Sequence, residues 1–226
     1  MLHTEPLTAQ AKSYLGLNHE GLEGTVLATI INKKVLDVKE IVLKGQRTAP
    51  LRSLFKSLEK KDGRNFILEC KQSSPTLGNF CKDFDLDKLI SCYEKRASAI
   101  SVLCEKHFFK GSLDYLKYVK EHCSLPVICK DFIICKEQID EAYIAGADAV
   151  LLMLSVLTRA KFEELFNYAH SLIQLLEVTI VSETQYSTKI EVVNVLTNSL
   201  GQVQNFSLIT LTSRQLPMNS EFAPNA

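Results

Sequence analysis

After Gly63, short apolar runs alternate with longer amphipathic stretches along the rest of the chain. Consecutive parallel strands need a long crossover, usually a helix, so this alternation predicts repeated β-α units and a parallel sheet. Such a sheet is either open and doubly wound or closed into a barrel. No Gly-x-Gly-x-x-Gly follows the first run, which weakens the dinucleotide-binding version. The predicted strands are Phe66–Lys71, Ala99–Cys104, Pro126–Asp131, Ala149–Leu154, Glu177–Ser182 and Phe206–Leu211, and the predicted helices between them are Leu86–Arg96, Leu113–His122, Lys136–Ala145, Arg159–Ile173 and Thr188–Leu196.

The N-terminal part of the chain is predicted to be helical. Residues 1–24 are polar without a clear period, and we expect a loosely ordered extension there. Apolar residues recur at helical spacing over Val26–Val42, with Thr25 as the N-cap and Gly45 beyond the end. A second, short helix is predicted over Leu51–Leu58. One domain is expected over residues 25–226, with helices at 25–62, β-α units at 63–216 and a tail at 217–226.

Composition excludes several classes of partner. The 26 lysines and arginines balance the 26 aspartates and glutamates, which leaves no overall positive field for nucleic acid or an anionic membrane. A small polar substrate is the expected partner. The N-terminus has no signal-peptide pattern and no apolar run could span a bilayer, which predicts a cytoplasmic protein. The seven cysteines are odd in number and never spaced as Cys-x-x-Cys, so neither a disulfide framework nor a zinc site is expected.

The first predicted strand carries two opposite charges inside an apolar run. In FILECKQSSP, Glu69 and Lys71 point to one face because side chains alternate along a strand, and Leu68 and Cys70 point to the other. If the sheet closes into a barrel, the charged pair takes the interior near the carboxyl-terminal mouth. Barrel active sites are built at that end.

The third predicted strand, PVICKDF, adds another lysine. Lys130 and Phe132 share one face, whereas Cys129 and Asp131 share the other. A lysine that is partly buried and crowded by a second ammonium group, here that of Lys71, is a usable proton donor near neutral pH. The alternative interpretation is an ion-paired cluster at the rim of a sheet that carries no chemistry.

Four segments, taken in order, give the chain a family resemblance. FILECKQSSP, SVLCEKHFFKGS, PVICKDFII and AGADAVLLMLSVL together resemble indole-3-glycerol phosphate synthase, from about Phe66 to Leu172 and more weakly back to Thr25. The resemblance implies a (β/α)8 TIM barrel with an N-terminal helical extension. It implies the decarboxylating ring closure of 1-(2-carboxyphenylamino)-1-deoxyribulose 5-phosphate to indole-3-glycerol phosphate in tryptophan biosynthesis. It also implies no metal and no organic cofactor, so acid–base groups of the protein carry the reaction.

The same resemblance implies catalytic roles for the three charged residues. Lys130 is the general acid that protonates the substrate carbonyl and drives ring closure. Lys71 binds and polarises the charged groups of the substrate and assists the later dehydration. Glu69 positions the two lysines and the reacting hydroxyl groups.

Four further residues are implied to bind the substrate. Ser74 contacts the carboxylate of the anthranilate ring, and Phe109 and Phe132 pack against the ring itself. Leu151, on the fourth predicted strand, belongs to the same pocket. Phenylalanines are by default core residues, and holding the ring rigidly against the acid gives this pair a further purpose.

The C-terminal end departs from the family pattern. Family spacing places a catalytic glutamate near Thr179–Val181, where this sequence has no carboxylate, so Glu177 is the candidate and Glu183 the alternative. The family's Ile-Asn-x-Arg-Asp-Leu is matched by Leu-Thr-Ser-Arg-Gln-Leu, which assigns Thr212 and Arg214 to substrate binding.

The number of β-α units is the last point at which the chain differs from the family. About six units fit into the sequence, which predicts an incomplete barrel without the backbone amides that hold the substrate phosphate after strands seven and eight. Two open sheet edges would favour self-association. The alternative function is therefore a catalytically impaired or inactive relative that retains only ligand or partner binding. A different phosphate-binding barrel, such as the isomerase of the same pathway, would not explain Glu69, Lys71 and Lys130 together.

Overall fold

The computed structural model describes residues 4–58, 65–79, 81, 83–172, 177–182, 193–197 and 203–207, the last three ranges by their backbone. In this part of the chain no helix is both long and apolar enough to cross a bilayer. The N-terminal elements are α1 (Ala9–Ser13), α2 (His19–Leu22), α3 (Val26–Asp37) with a 3-10 turn at Val38–Glu40, and α4 (Leu54–Ser57). They are followed by β1 (Ile67–Cys70), β2 (Ser73–Ser74), β3 (Gly78–Asn79), α5 (Leu86–Tyr93), β4 (Ala99–Leu103), α6 (Leu113–His122), β5 (Val127–Lys130), α7 (Lys136–Ile144), β6 (Ala149–Met153), α8 (Arg159–Leu172), β7 (Glu177–Ser182), β8 (Val193–Thr197) and β9 (Val203–Ser207).

Five strands form a parallel sheet in the order β1, β4, β5, β6, β7. The register joins one residue from each strand into a single level: Glu69, Ser101, Ile128, Ala149 and Glu177. Neighbouring parallel strands present paired residues to the same face, so this level faces one side of the sheet. The first five predicted strands are confirmed to within one residue at each end.

The helices between these strands begin where the sequence predicts. α5, α6, α7 and α8 start at Leu86, Leu113, Lys136 and Arg159. Side-chain caps explain the first two of these starts. Asp85 accepts a hydrogen bond from the Lys88 N–H at 3.1 Å, and Ser112 accepts one from the Asp114 N–H at 3.0 Å.

The last two strands differ from the prediction. A helix was expected over Thr188–Leu196, and this is wrong for residues 193–196, which belong to β8 and pair antiparallel with β7. The alternation Val-Asn-Val suits a strand, because β-branched residues favour extended backbone. β9 pairs antiparallel with β8 and shares only residues 206 and 207 with the predicted strand Phe206–Leu211. The remainder of that prediction lies outside the described residues.

Helix α3 begins as predicted but ends earlier. The Thr25 hydroxyl accepts a hydrogen bond from the Ala28 N–H at 3.3 Å, which confirms the N-cap. The helix ends at Asp37 rather than near Val42, and that part of the prediction is wrong. Val42 is 66% exposed, so the apolar residues beyond the 3-10 turn do not continue the buried face of the helix.

The segment before α3 is docked on the rest of the protein in residues 4–24. Leu7, Leu17 and Leu22 are buried in the main core, and the Asn32 side chain of α3 accepts a hydrogen bond from the Thr8 N–H at 2.8 Å. This part of the expected loose extension is therefore ordered, because its apolar residues have a surface to cover.

An apolar cluster fills the interior at the amino ends of the strands. Helix α4, within the predicted Leu51–Leu58, contributes buried side chains that meet the first inward residues of four parallel strands. The cluster consists of Leu54, Phe55, Leu58, Ile67, Ala99, Ile128 and Ala149. The interior is thus apolar from the amino ends of the strands up to the level that Ile128 and Ala149 share with Glu69.

Buried charged side chains hold the segment between α3 and α4 at the amino ends of the strands. Asp148, which directly precedes β6, is fully buried, and its carboxylate lies 2.6 Å from the equally buried ammonium group of Lys120. The carboxylate also accepts hydrogen bonds from the Arg47 guanidinium at 3.0 Å and from the N–H groups of Arg52 and Val127, each at 2.9 Å. One carboxylate thereby joins the N-terminal segment, α6 and two strands.

Candidate active site

Strands β1 and β5 bring three charged residues together. Glu69 lies within β1 with its side chain fully buried, Lys71 directly follows that strand, and Lys130 is the last residue of β5. Lys130 Nζ lies 2.5 Å from Glu69 Oε1, and Lys71 Nζ lies 2.9 Å from Glu69 Oε2. Each carboxylate oxygen has its own ammonium partner. The convergence of the three side chains agrees with the alternation of faces expected from the sequence.

Electrostatics keep the buried carboxylate ionised. Burial alone would raise the pKa of the Glu69 carboxyl, but the ammonium groups of Lys130 and Lys71 outweigh it and hold that pKa below its usual value. The side chains of Lys71 and Lys130 are 17% and 28% exposed, whereas that of Glu69 is 0% exposed. A ligand can therefore reach the ammonium groups while the carboxylate stays behind them.

Asp131 directly follows β5 and lies on the face opposite Lys130, as the alternation predicts. It forms an ion pair there. Lys34 of α3 places its Nζ 2.7 Å from Asp131 Oδ1. Burial would lower the pKa of Lys34, but the carboxylate of Asp131 outweighs it and the pKa is raised. Asp37, one turn further along α3, contacts the Lys106 ammonium at 2.9 Å and the His107 ring at 3.0 Å. These contacts hold α3 against the carboxyl ends of β4 and β5.

The two predicted aromatic residues are neighbours. The ring centroids of Phe109 and Phe132 lie 6.3 Å apart with an interplanar angle of 37°. Phe132 is two residues beyond Lys130, and Phe109 lies in the loop that follows β4. Tilted aromatic pairs at this separation are mutually attractive and can leave a ring edge free for a third ring.

The loop after β1 contains Ser74 and is joined to the loop after β4. Ser74 belongs to the β2–β3 hairpin, where its hydroxyl accepts a hydrogen bond from the Leu77 N–H at 3.2 Å. The Ser73 hydroxyl donates to the Phe108 carbonyl at 3.2 Å, and the Gln72 amide donates to the Lys110 carbonyl at 2.7 Å. The two loops therefore border the same region.

The remaining predicted site residues lie on later strands. Lys130 and Leu151 each follow the Ile128–Ala149 pair by two residues, so both occupy the next level towards the carboxyl ends. Leu151 pairs with Thr179, whereas Glu177 pairs with Ala149, one level nearer the amino ends. Thr212, Arg214 and Glu183 lie outside the described residues.

Sequence reasoning missed two buried charges near this site. Glu105 is 1% exposed and follows β4, and Lys34 is 5% exposed within the apolar face of α3. The signal in both cases is a charge embedded in an apolar pattern, which is the signal that singled out Glu69. Among the described residues, no group of three His, Cys, Asp or Glu side chains is placed to hold a metal ion.

A parallel β-α sheet with buried charged side chains at the carboxyl ends of its strands is typical of the β/α-barrel class. The family model of indole-3-glycerol phosphate synthase matches residues 26–214. The chain is 42% identical over 194 residues to the tryptophan biosynthesis protein TrpCF of Helicobacter pylori, covering 83% of this chain and 41% of that protein. It is 41% identical over 150 residues to the indole-3-glycerol phosphate synthase of Oceanobacillus iheyensis, and 42% identical over 149 residues to that of Bacillus cereus. These two alignments each cover 64% of this chain and 58% of the relative.

The chain belongs to the indole-3-glycerol phosphate synthase family, whose members are TIM barrels. The resemblance and the fold class predicted from the sequence are thereby confirmed. The chain spans about half the length of the curated relatives that it matches.

Proposed function

We propose that the protein catalyses the decarboxylating ring closure of 1-(2-carboxyphenylamino)-1-deoxyribulose 5-phosphate to indole-3-glycerol phosphate, as a cytoplasmic enzyme of tryptophan biosynthesis. The observation that carries the proposal is the fully buried Glu69 carboxylate held between the ammonium groups of Lys71 and Lys130. Membership of the family and the neighbouring pair of phenylalanines support it. The reaction needs proton donors, charge compensation and an ordered aromatic ring. The charged cluster supplies the first two, and the two phenylalanines supply the third.

Lys130 acts first in the proposed reaction. Its ammonium group donates a proton to the substrate carbonyl oxygen while the ring carbon that bears the carboxylate attacks the carbonyl carbon. The carbon–carbon bond to the carboxylate then breaks, its electrons restore the aromatic ring, and carbon dioxide leaves. Glu69 supports this step because its negative charge holds the Lys130 ammonium at the end of β5.

Lys71 acts in the second stage. The hydroxyl group formed by ring closure leaves as water after it takes a proton from the Lys71 ammonium. A carbon-bound proton is lost at the same time, and the five-membered ring becomes aromatic. This step needs a base, for which Glu177 of β7 is the candidate. Glu177→Gln is therefore expected to lower kcat by about 10²–10⁴-fold when indole fluorescence is followed after addition of the substrate.

Substrate binding is assigned to the residues around this cluster. Phe109 and Phe132 hold the anthranilate ring, Leu151 lines the same level as Lys130, and Ser74 takes the ring carboxylate. Thr212 and Arg214 complete the pocket in this proposal. Restricting the ring to one orientation raises the rate because the attack needs the reacting carbons aligned.

One observation favours a second candidate, a relative that binds the ligand without turnover. At the level of Leu151 the backbone of β7 carries Thr179, and Glu177 lies one level nearer the amino ends. Barrel active sites are built at the carboxyl ends of the strands. A site without a base on β7 would still bind the anionic aromatic substrate through its two lysines.

The experiment follows indole fluorescence after addition of the substrate to the wild-type chain, Lys130→Ala and Lys117→Ala. Lys117 is an exposed lysine of α6 and controls for loss of a positive charge. Removal of a general acid is expected to lower kcat by about 10²–10⁴-fold, and the control is expected to retain wild-type rates. Fluorescence that persists in Lys130→Ala would discard the role given to Lys130. A wild-type chain that binds the substrate but yields no fluorescence would favour the second candidate.

A further inference from the structure

Glu105 is a buried carboxylate that no step of the proposed reaction uses. It lies two residues beyond the end of β4 and is 1% exposed. Its Oε1 accepts a hydrogen bond from the His107 N–H at 2.9 Å, and its Oε2 accepts bonds from the N–H groups of Phe108 at 2.7 Å and Phe109 at 3.0 Å. Three consecutive backbone donors thus converge on one side chain. Because one side chain accepts all three bonds, the loss of one acceptor oxygen would leave at least one of these N–H groups without its partner.

The loop around Glu105 closes tightly on the end of β4. The Glu105 carbonyl accepts a hydrogen bond from the Gly111 N–H at 2.7 Å, which ties both ends of the loop together. A Cβ atom on Gly111 would lie 2.3 Å from the Leu103 carbonyl oxygen, so the returning chain fits only without a side chain. Lys110 has φ of 54°, a conformation that a lysine keeps only where its surroundings impose it.

Phe109 is the residue that this arrangement orients. Its N–H is the last of the three that Glu105 holds, and its ring packs against Phe132. The Glu105 carboxylate therefore fixes the backbone of Phe109, and the Phe109 ring lies beside Phe132, two residues beyond Lys130. The Lys34 ammonium lies within electrostatic range of Glu105 and supplies positive charge on the α3 side.

We propose that Glu105 is a positioning residue that sets the Phe109 ring for the aromatic part of the ligand. The proposal rests on the proposed function, because it concerns the ring-binding part of that site. Glu105 does not touch the ligand. It acts through the backbone of residues 107–109, which it holds in the one path that turns the Phe109 ring towards Phe132.

The test combines Glu105→Gln, Glu105→Asp and Phe109→Leu. Glutamine is isosteric but keeps one acceptor oxygen, so at least one of the three N–H groups faces an NH2 group that cannot accept it. Aspartate keeps the charge with a shorter reach. Glu121→Gln, an exposed glutamate of α6, is the matched control. Binding is measured as the Kd of the substrate's alcohol analogue, in which the keto group is reduced and ring closure is impossible.

Glu105→Gln is expected to raise this Kd about tenfold in the wild-type background and less than about twofold in the Phe109→Leu background. The effect disappears there because the residue through which Glu105 acts has already been removed. In turnover the loss falls on KM more than on kcat, since the ring is held in both ground and transition states. Glu105→Asp is expected to recover part of the affinity, and Glu121→Gln is expected to leave it unchanged.

Amide hydrogen exchange provides a reading that does not depend on the ligand. Protection of the His107, Phe108 and Phe109 amides is expected to fall by on the order of tenfold in Glu105→Gln, with the amides of α6 unchanged. Equal losses of affinity in both backgrounds would overturn the proposal, because they indicate general destabilisation. Unchanged protection at these three amides would overturn it as well. A wild-type chain that neither binds the analogue nor turns over the substrate counts against the proposed function instead, and the exchange measurement still decides whether Glu105 orders the loop.

Discussion

Replacing Asp148 by asparagine removes the negative charge from a site that no solvent reaches. The Lys120 ammonium lies 2.7 and 2.6 Å from the two carboxylate oxygens, and both side chains are 0% exposed. The Arg47 guanidinium lies 3.0 Å away, so the variant leaves two cations facing each other without a counter-charge. An asparagine can accept a hydrogen bond on one side only, which also leaves the N–H of Arg52 or Val127 without an acceptor.

The expected loss is large compared with the stability of a domain. Breaking a buried ion pair by removing one partner costs about 3–5 kcal/mol, because the remaining charge is uncompensated. The free energy of unfolding of a natural domain is about 5–15 kcal/mol, so the variant loses a substantial fraction of its stability. One kcal/mol corresponds to about 2–4 °C in Tm for a chain of about 150–250 residues, which predicts a fall of about 6–20 °C.

The pH dependence of the loss follows from Lys120. Burial lowers the pKa of Lys120 below its ordinary value, and Asp148 opposes that effect, so Asp148→Asn lowers the pKa further. A lysine whose folded-state pKa lies below its unfolded value binds more protons in the unfolded state, so stability rises with pH through that interval. The penalty of Asp148→Asn is therefore expected to be smaller at about pH 9 than at about pH 7, because Lys120 loses its proton more readily in the folded variant than in the unfolded chain.

Urea unfolding at both pH values measures these differences. Glu121→Gln is the control and should stay within about 0.5 kcal/mol of the wild type. The double variant Asp148→Asn/Lys120→Met removes both charges and is expected to recover most of the loss. A loss below about 1 kcal/mol at pH 7, no recovery in the double variant, or a penalty that grows with pH would refute the reasoning.

Two further substitutions test local geometry. Gly111→Ala should lower the free energy of unfolding by about 1–3 kcal/mol and lower kcat/KM, because the added Cβ would lie 2.3 Å from the Leu103 carbonyl oxygen. Unfolding and activity indistinguishable from the wild type would contradict the tight return of the loop. Thr25→Ala should lower the free energy of unfolding, measured in urea, by about 1 kcal/mol, because the Ala28 N–H loses its capping acceptor. Thr25→Ser should retain the cap, and equal stabilities of the two variants would contradict the capping role of Thr25.

The features that the sequence predicts well are those set by local periodicity. Alternation along a strand decides which side chains share a face, so Glu69 and Lys71 were expected to meet Lys130 and were expected to oppose Asp131. In the structure the first three form one cluster, and Asp131 pairs with Lys34 on the other side of β5. The face that a side chain takes follows from the alternation within its own strand, whereas the meeting of Lys130 with Glu69 also requires both strands to lie in one sheet.

The features that the sequence does not reveal depend on contacts between distant segments. The pairing of Lys34 with Asp131 joins α3 to β5, and no local pattern indicates which helix covers which strand end. The helix predicted over residues 188–196 is wrong over residues 193–196 for a related reason. In the sequence, Val192, Val195 and Leu196 fit helical spacing, whereas Val193 and Val195 fit the alternation of a strand, and pairing with β7 decides between the two.

The placement of charges along the sheet explains why the cluster lies at the carboxyl ends of the strands. At the amino ends the interior is filled by α4 against Ile67 and its counterparts, and the Asp148 ion cluster secures the segment that leads to that helix. In the described part of the chain, the open approach to Glu69 is therefore from the side on which Lys71 and Lys130 are partly exposed. A carboxylate buried this deeply would take up a proton without compensation, so the two ammonium groups serve both the fold and the proposed reaction. Loss of either lysine should consequently lower both stability and turnover, whereas loss of Phe109 should lower ligand affinity with little effect on the charged cluster.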